Sequence, residues 1–154
     1  MNIKKTIITL IPAVTILLMK SYSQSLPDQA SFRGAEANLK EYKALYIINQ
    51  SDDKKIRATL RNINNALGDE RLKGKLQVEL VAFGDGVELF RKSNHYDTLL
   101  TNLQKKGVLL AECENTVRER KIDKADLWPF ISYVPSGNGE IIIRQFQGWA
   151  TVHP

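Results

Sequence analysis

Residues 107–120 read Gly107-Val-Leu-Leu-Ala-Glu-Cys113-Glu-Asn-Thr-Val-Arg-Glu-Arg120, an apolar run of strand length followed by a polar stretch with helical character. Apolar runs of this length are typical of buried strands, and Asn and Thr favour the first positions of helices. A strand that passes directly into a helix is the repeating unit of α/β proteins. The chain's single cysteine, Cys113, stands at that junction. The same stretch therefore predicts both the fold class and a candidate site.

The alternation of strands and helices continues on both sides of this stretch. An apolar run at 43–49 precedes a helix that Ser51 or Asp52 can cap and Gly68 can close. The other predicted strands cover 76–83, 108–113, 130–135 and 148–154, and the other predicted helices cover 96–105, 115–121 and 140–147. This order indicates right-handed crossovers and a parallel sheet covered on both faces. We therefore predict an α/β fold, a flavodoxin-like three-layer α/β/α sandwich with a mainly parallel sheet of about five strands.

The first 23 residues have the composition of a secretory signal peptide. Lys4 and Lys5 precede an apolar segment of roughly 13 residues, shorter than the ~20 that span a bilayer, and small residues follow it up to Ser23. We predict cleavage near Ser23, a linker or amino-terminal arm over 24–42, and the domain over 43–154. The protein would then be periplasmic or secreted, without stable membrane insertion. The alternative is an uncleaved membrane tether.

Charge gives no reason to expect a nucleic-acid partner. The chain is formally +5 at pH 7, but three of its lysines lie in the signal segment, which leaves the mature protein at about +2. The remaining basic residues alternate with acidic ones, as in Arg118-Glu119-Arg120-Lys121. Such mixed charges are typical of solvent-facing helix surfaces, so we expect no nucleic-acid partner.

The single cysteine and the two histidines limit the chemistry that the chain can carry. Cys113 has no second cysteine with which to form an internal disulfide. His95 and His153 are distant in sequence from each other and from Cys113, and no Cys-x-x-Cys or His-x-x-x-His spacing occurs. The sequence therefore predicts no metal site within one chain and no cofactor. Cys113 is either a small buried hydrophobe, a group paired with another molecule, or a working thiol.

Small polar residues follow the predicted strands. The carboxyl ends of parallel strands meet at one edge of the sheet, where ligands bind and where unpaired helix N–H groups favour anions and thiolates. The candidate site residues at this edge, called here the strand-end rim, are Asn49, Ser51, Gly84, Asp85, Gly86, Cys113, Asn115, Thr116, Ser136 and Gly137. Among them the Cys113 thiol is the evident nucleophile. The glycines can equally be simple turn residues, and Asn115 and Thr116 can be helix caps.

Several of these segments resemble the DsrE/DsrF-like proteins of sulfur relay and intracellular sulfur oxidation. The resemblance runs from about Lys43 to Pro154 and rests on Val81-Ala-Phe-Gly-Asp-Gly-Val-Glu-Leu-Phe90, Ala111-Glu-Cys-Glu-Asn-Thr116, Val134-Pro-Ser-Gly137 and Gln147-Gly-Trp-Ala150. It implies the same flavodoxin-like fold, assembled as a homotrimer or homohexamer. It also implies that Cys113 carries sulfur as a persulfide.

Two main functions are consistent with the rim and the resemblance. In the first, Cys113 takes a sulfane sulfur from a donor and passes it to an acceptor thiol on a small molecule or a protein, as a sulfurtransferase or sulfur carrier. In the second, the protein is a non-catalytic oligomeric binding protein for a small anionic or nucleotide-like ligand. A third use of the thiol is reversible pairing with glutathione or a partner protein, as a redox sensor. Independently of the resemblance, the apolar closing segment 146–152 predicts an edge strand that a second copy would cover.

Overall fold

The computed structural model describes residues 29–153, and the predicted signal peptide lies outside them. The chain divides into two compact units, Met1–Ala35 and Glu36–Pro154. The described residues of the first unit form a turn followed by a segment without regular secondary structure, and the Arg33 guanidinium donates hydrogen bonds to the carbonyls of Ala30 and Phe32. The second unit carries the strands and helices described below.

Strands alternate with helices along the second unit. Within residues 29–153, five strands, β1 to β5, cover Tyr42–Ile48, Leu76–Ala82, Leu109–Cys113, Ser132–Val134 and Ala150–Val152. Over the same residues, four α-helices, α1 to α4, cover Asp53–Gly68, Asp97–Lys105, Glu114–Glu119 and Gly137–Phe146, and 3-10 helices cover Gly84–Phe90, Lys92–Asn94 and Lys124–Asp126. None of these helices is long and apolar enough to cross a membrane.

The predicted elements are present, with some ends shifted by a few residues. The largest shift is at α4, which begins at Gly137 and not at the predicted Glu140. It begins early because the Ser136 hydroxyl caps it, accepting the N–H of Gly139 at 3.2 Å, so the cap outweighs the low helix propensity of the two glycines that follow. At the other end of the domain, β1 begins at Tyr42, one residue inside the predicted arm, since the Tyr42 N–H bonds to the Lys75 carbonyl.

The five strands of the described domain form one parallel sheet in the order β4-β3-β2-β1-β5. From β1 to β4, each connection leads to the next strand in the same direction across the sheet. The connection from β4 to β5 runs in the opposite direction, to the far side of β1. Because crossovers are right-handed, α4 therefore lies on the face opposite α1, α2 and α3. The larger core cluster contains side chains of α1, α2 and α3, and the smaller one, around Leu45, Val81 and Trp149, packs against Ile141 of α4. This confirms the predicted α/β fold with helices on both faces.

Neighbouring residues at the end of β3 therefore face different layers. Ala111 belongs to the smaller core cluster, so Cys113, two residues later, points to the α4 face. Glu112 points to the face of α1, α2 and α3. At the carboxyl edge of the sheet, residues on the α4 face and residues on the face of α1, α2 and α3 therefore have different neighbours. The candidate residues are grouped below by the face on which they lie.

Candidate functional site

Cys113 lies at the carboxyl end of β3, between the amino ends of α3 and α4. Its side chain is 5% exposed, and its register partner on β4 is Val134. Phe83, at the end of β2, packs against the first residue of α4: a Cβ atom on Gly137 would lie 2.8 Å from the ring. Glycine at 137 thus allows the amino end of α4 to approach the ring and the thiol.

Hydrogen-bond donors converge on the Cys113 sulfur from both helices. Burial raises the pKa of the thiol, but hydrogen bonds from the backbone N–H groups of Thr116, Gly137 and Asn115 and from the Thr116 hydroxyl lower it. Together the donors outweigh burial, so the pKa of Cys113 lies below its ordinary value. The thiolate, which is the reactive form of cysteine, is therefore favoured.

Thr116 links the thiol to the loop that follows β2. Its hydroxyl oxygen accepts a hydrogen bond from the backbone N–H of Gly84 at 2.9 Å, which leaves the hydroxyl hydrogen free to point to the sulfur. Thr116 is 6% exposed. The groups that lower the pKa of Cys113 thus come from two connections, the start of α3 and the start of α4, and Thr116 joins the first of these to the β2 loop.

The glycines of the β2 loop fix the position of that loop. A Cβ atom on Gly86 would lie 2.1 Å from the carbonyl oxygen of Ile48, so the loop can cross the end of β1 only without a side chain there. Gly84 has a φ of +58°, in the left-handed region that glycine adopts easily. Asn49, at the end of β1, is exposed and its carbonyl lies against Gly84.

The opposite side of the rim is an open polar cleft of about 690 Å³. It is lined by Ser51, Asp53, Asp85, Glu88, Ser93, Asn94, Tyr96 and Arg120. Each of its three carboxylates has a partner: Arg120 Nη2 lies 2.6 Å from Asp85 Oδ1, the Tyr96 hydroxyl donates to Asp53 Oδ1 at 2.7 Å, and Arg91 Nε lies 2.9 Å from Glu88 Oε1. The Tyr96 hydrogen bond lowers the pKa of Asp53, while burial together with Asp53 raises the pKa of Tyr96 to about 12.

The predicted rim is thus divided into two parts. The thiol half consists of Cys113, Asn115, Thr116, Ser136 and Gly137, and the cleft half contains Ser51 and Asp85 among the residues that line the cleft. The β2 loop with Gly84 and Gly86 lies between them, so the ten candidate residues do not form one pocket. Sequence reasoning missed Arg120 and Tyr96, because nothing in their local pattern points to a strand end.

Glu112 is a buried carboxyl that sequence reasoning also missed. It is 0% exposed, and within the described part of the chain neither carboxyl oxygen has a hydrogen-bond partner. Burial raises the pKa of Glu112 to about 9, against the smaller opposing effect of the nearby Cys113 backbone N–H. Glu112 is therefore neutral at pH 7. The strict alternation of side chains along β3 was the available signal, since it places Glu112 in the core.

Comparison with known proteins identifies the family of the chain. The sequence profile described as the DsrE/DsrF-like family matches residues 42–154. The chain belongs to the DsrE/DsrF-like family. Among solved structures, the DsrE/DsrF-like chain is similar to MTH1491 from Methanobacterium thermoautotrophicum, a protein of unknown function, with 30% identity and a TM-score of 0.69 over 74% of this chain and 100% of the other. No curated protein matches.

Family membership makes this a protein of the sulfur-relay family. Its thiol half offers a buried thiol whose pKa is lowered by hydrogen bonding, which suits it to attack on sulfur. The cleft half offers paired charges and no free nucleophile among the residues that line it. The chemistry that the family suggests is therefore best matched by the thiol half.

Proposed function

We propose that this protein is exported and carries sulfane sulfur as a persulfide on Cys113. The observation that supports the proposal most strongly is the position of Cys113 at the end of β3, beside the amino ends of α3 and α4, where hydrogen bonding lowers the pKa of its thiol. Such hydrogen bonds stabilise a thiolate before the reaction and an anionic outer sulfur after it. Membership of the DsrE/DsrF-like family supports the same chemistry.

The test is intact-mass analysis of the purified protein after exposure to polysulfide. We expect Cys113 to gain sulfur, and we expect a small acceptor thiol to remove it again. The Cys113→Ser variant serves as the matched control, because serine keeps the size and the hydrogen-bond capacity of the side chain. Absence of any Cys113-dependent mass increase would contradict the proposal. Export is tested on protein recovered from the producing cells, whose amino terminus should be near Gln24.

The two other uses of the rim predict different results in the same experiment. A binding protein for a small anion would keep an unmodified thiol, and its thiol would titrate near the ordinary value of about 8.5. The basic side chain among the residues that line the cleft, Arg120, is already paired with Asp85, so the cleft half is a poor site for an anion. A redox sensor would form a mixed disulfide with glutathione, which has a different mass from a persulfide.

We also propose that the protein self-associates through α4. Ile142, Ile143 and Phe146 of this helix are 56%, 53% and 92% exposed, and Leu109, on the sheet face that α4 covers, is 52% exposed. A helix that presents three large apolar side chains to water is suited to cover by a second copy. β5 lies at the edge of the described sheet and pairs with β1 on one side, so its outer edge is a further surface that a second copy would cover.

The oligomeric state is measured by size-exclusion chromatography with light scattering. We expect a homotrimer or homohexamer, and we expect Phe146→Glu to give smaller species. Leu39→Glu is the control, because Leu39 is exposed in the segment before β1, outside the α4 surface. A monomeric wild-type protein would contradict self-association without affecting the proposal on Cys113.

A further inference from the structure

We propose that the groove between α1 and α2 is a docking site for an acidic amphipathic helix of a partner protein. The groove has a volume of about 450 Å³, and its lining residues include Arg57, Leu60, Arg61 and Asn64 of α1 and Leu99 and Leu103 of α2. Cys113 points to the opposite face of the sheet, so docking in this groove is independent of the chemistry of the thiol.

The floor of the groove is apolar. Leu60 and Leu103 are 3% exposed and belong to the core, whereas Leu99 is 38% exposed and lies open to the groove. Leu99 and Leu103 are four residues apart, so they lie on the same side of α2. A large apolar side chain of a partner would therefore contact three leucines at one place and remove Leu99 from water, which favours binding.

The length and shape of the groove fit a helix. Arg57, Arg61 and Asn64 recur every three or four residues along α1, and at 1.5 Å per residue they form a stripe about 10 Å long. This length corresponds to about two helical turns. Since α1 and α2 pack side by side, a third helix can lie between them and insert apolar side chains that are spaced in the same way.

The two helices carry an excess of positive charge along the groove. No acidic residue occurs from position 56 to 68 or from 98 to 106, whereas four basic residues do. The acidic residues of α1 and α2 are confined to their first turns, at Asp53 and Asp97. The body of the groove therefore complements a segment that carries carboxylates.

Two of these cations are available to a partner. Arg57 is paired with Asp53 at 2.9 Å, but Arg61 is exposed and forms no ion pair within the described residues. Lys106 donates to the Asn64 side-chain oxygen at 2.5 Å, and since that amide is neutral, the ammonium keeps its charge. Arg61 and Lys106 therefore remain cations beside an apolar floor, which is the arrangement that an acidic amphipathic helix requires.

The helices described for this chain do not include such a segment. Outside the groove, the large apolar side chains exposed on helices are Ile142, Ile143 and Phe146 of α4. The single acidic residue of α4, Glu140, is paired with Arg144 at 2.7 Å, so the exposed surface of α4 is not acidic. The occupant is therefore a different protein and not a second copy of α4.

The groove also suits a protein better than a membrane or a nucleic acid. Apolar side chains that bind a bilayer surface protrude into it, whereas Leu60 and Leu103 form the floor of a groove. Single-stranded nucleic acids stack their bases on aromatic side chains, and the groove lining contains none.

The test begins with a phage-displayed library of random peptides, selected on the purified protein. We expect the selected peptides to carry large apolar residues three or four positions apart together with Asp or Glu, and to bind more weakly as salt is added. A synthetic copy of the best peptide is then titrated against groove variants by fluorescence anisotropy. A selection that yields no binder, or only binders without acidic residues, would overturn the proposal.

Arg61→Glu is the main variant, because Arg61 is exposed and forms no ion pair within the described residues. We expect the affinity for the selected peptide to fall by at least about tenfold. Lys54→Glu makes the same change of charge at an exposed position of α1 outside the groove lining, and should change the affinity by about twofold at most. Equal losses in the two variants would show that the peptide responds to net charge and not to the groove.

Leu99→Ala tests the apolar floor without changing charge. Alanine is the best helix former, so α2 is retained, and we expect the affinity for the peptide to fall by about fivefold or more. Leu39→Ala is the control, because Leu39 is exposed in the segment before β1 and lies outside the groove. Full affinity in Leu99→Ala would contradict docking on the leucines.

The same variants exclude the other occupants. Wild type and Arg61→Glu are mixed with phosphatidylglycerol vesicles and with a single-stranded RNA, and the oligomeric state of both proteins is measured by light scattering. We expect no Arg61-dependent binding to vesicles or RNA, and the same oligomeric state in both proteins. Arg61-dependent binding to either ligand, or a change of oligomeric state, would overturn the assignment to a partner protein. None of these results affects the loading of Cys113 with sulfur, which is measured separately.

Discussion

The two halves of the strand-end rim contain similar polar residues but satisfy them in different ways. In the cleft half, acidic and basic side chains neutralise one another, as Arg120 and Asp85 do at 2.6 Å. In the thiol half, uncharged hydrogen-bond donors lower the pKa of one ionisable sulfur. The charge that they stabilise is the negative charge of the thiolate. The polar groups of the cleft half therefore satisfy one another, whereas those of the thiol half stabilise the ionised form of a reactive group.

The loop between the halves gives the largest expected effect, because both halves depend on it. In Gly86→Ala, the new Cβ would lie 2.1 Å from the Ile48 carbonyl oxygen, so the loop or β1 must move. We expect a loss of roughly 3 kcal/mol or more in the free energy of unfolding, measured by urea denaturation. Gly68→Ala, with nothing within 4 Å of the new methyl group, is the control and should not destabilise. A variant as stable as wild type would show that the loop is not anchored at Gly86.

Glu112 gives the next largest effect, and it depends on pH. Burial raises the pKa of Glu112 from 4.5 to about 9, so the folded protein holds this proton more tightly than the unfolded chain. The stabilisation is complete below the unfolded pKa and is lost as pH rises toward the folded one, at about 1.4 kcal/mol per pH unit. Glu112→Gln removes this loss, so near pH 7 we expect the variant to be more stable than wild type by roughly 3 kcal/mol.

The measurement is urea denaturation near pH 5 and near pH 7, with the exposed Glu119→Gln as control. The benefit of Glu112→Gln should almost vanish at the lower pH. An equal benefit at both values would mean that Glu112 is already ionised in the fold. Glu79, the buried carboxylate on the other face, is paired with Arg144 at 2.6 Å, whereas Glu112 has no such cationic partner within the described residues.

How much of this arrangement was predictable differs between fold and site. The positions of β1 to β5 and α1 to α4 follow from apolar runs, helical spacing and caps such as Asp52, whose carboxylate accepts the Lys55 N–H at 2.8 Å. Those signals are local, and they predicted the elements and the parallel sheet correctly. The strand-end position of Cys113 follows from the same pattern.

The division of the rim could not be predicted, because it depends on which face each connection crosses. Knowing that Cys113 and Asp85 both follow strands places them at one edge, but not on one side of it. The contact between Gly84 and Thr116 joins residues 32 positions apart, and no local signal specifies it. The lack of a partner for Glu112 is also visible only once its neighbours are known.

Thr116 tests whether the thiol half owes its reactivity to its donors. In Thr116→Val, the sulfur loses the hydroxyl donor and the Gly84 N–H loses its acceptor. We expect the pKa of Cys113 to rise and its alkylation by iodoacetamide near pH 7 to slow by up to about tenfold. Thr116→Ser keeps the hydroxyl and should react like wild type. Equal alkylation rates for the valine and serine variants would show that the Thr116 hydroxyl does not lower the pKa of Cys113.

The Asp85–Arg120 pair gives the smallest expected effect, and it tests the comparison from the cleft half. Both side chains are largely solvent-exposed, and exposed ion pairs contribute about 1 kcal/mol at most because water and salt screen them. Asp85→Asn should therefore change the free energy of unfolding only slightly and leave the alkylation rate of Cys113 unchanged. A large change in the thiol rate would mean that charge in the cleft reaches the sulfur through the β2 loop, in which case Arg120 would act on the thiol and the two halves would form one electrostatic unit.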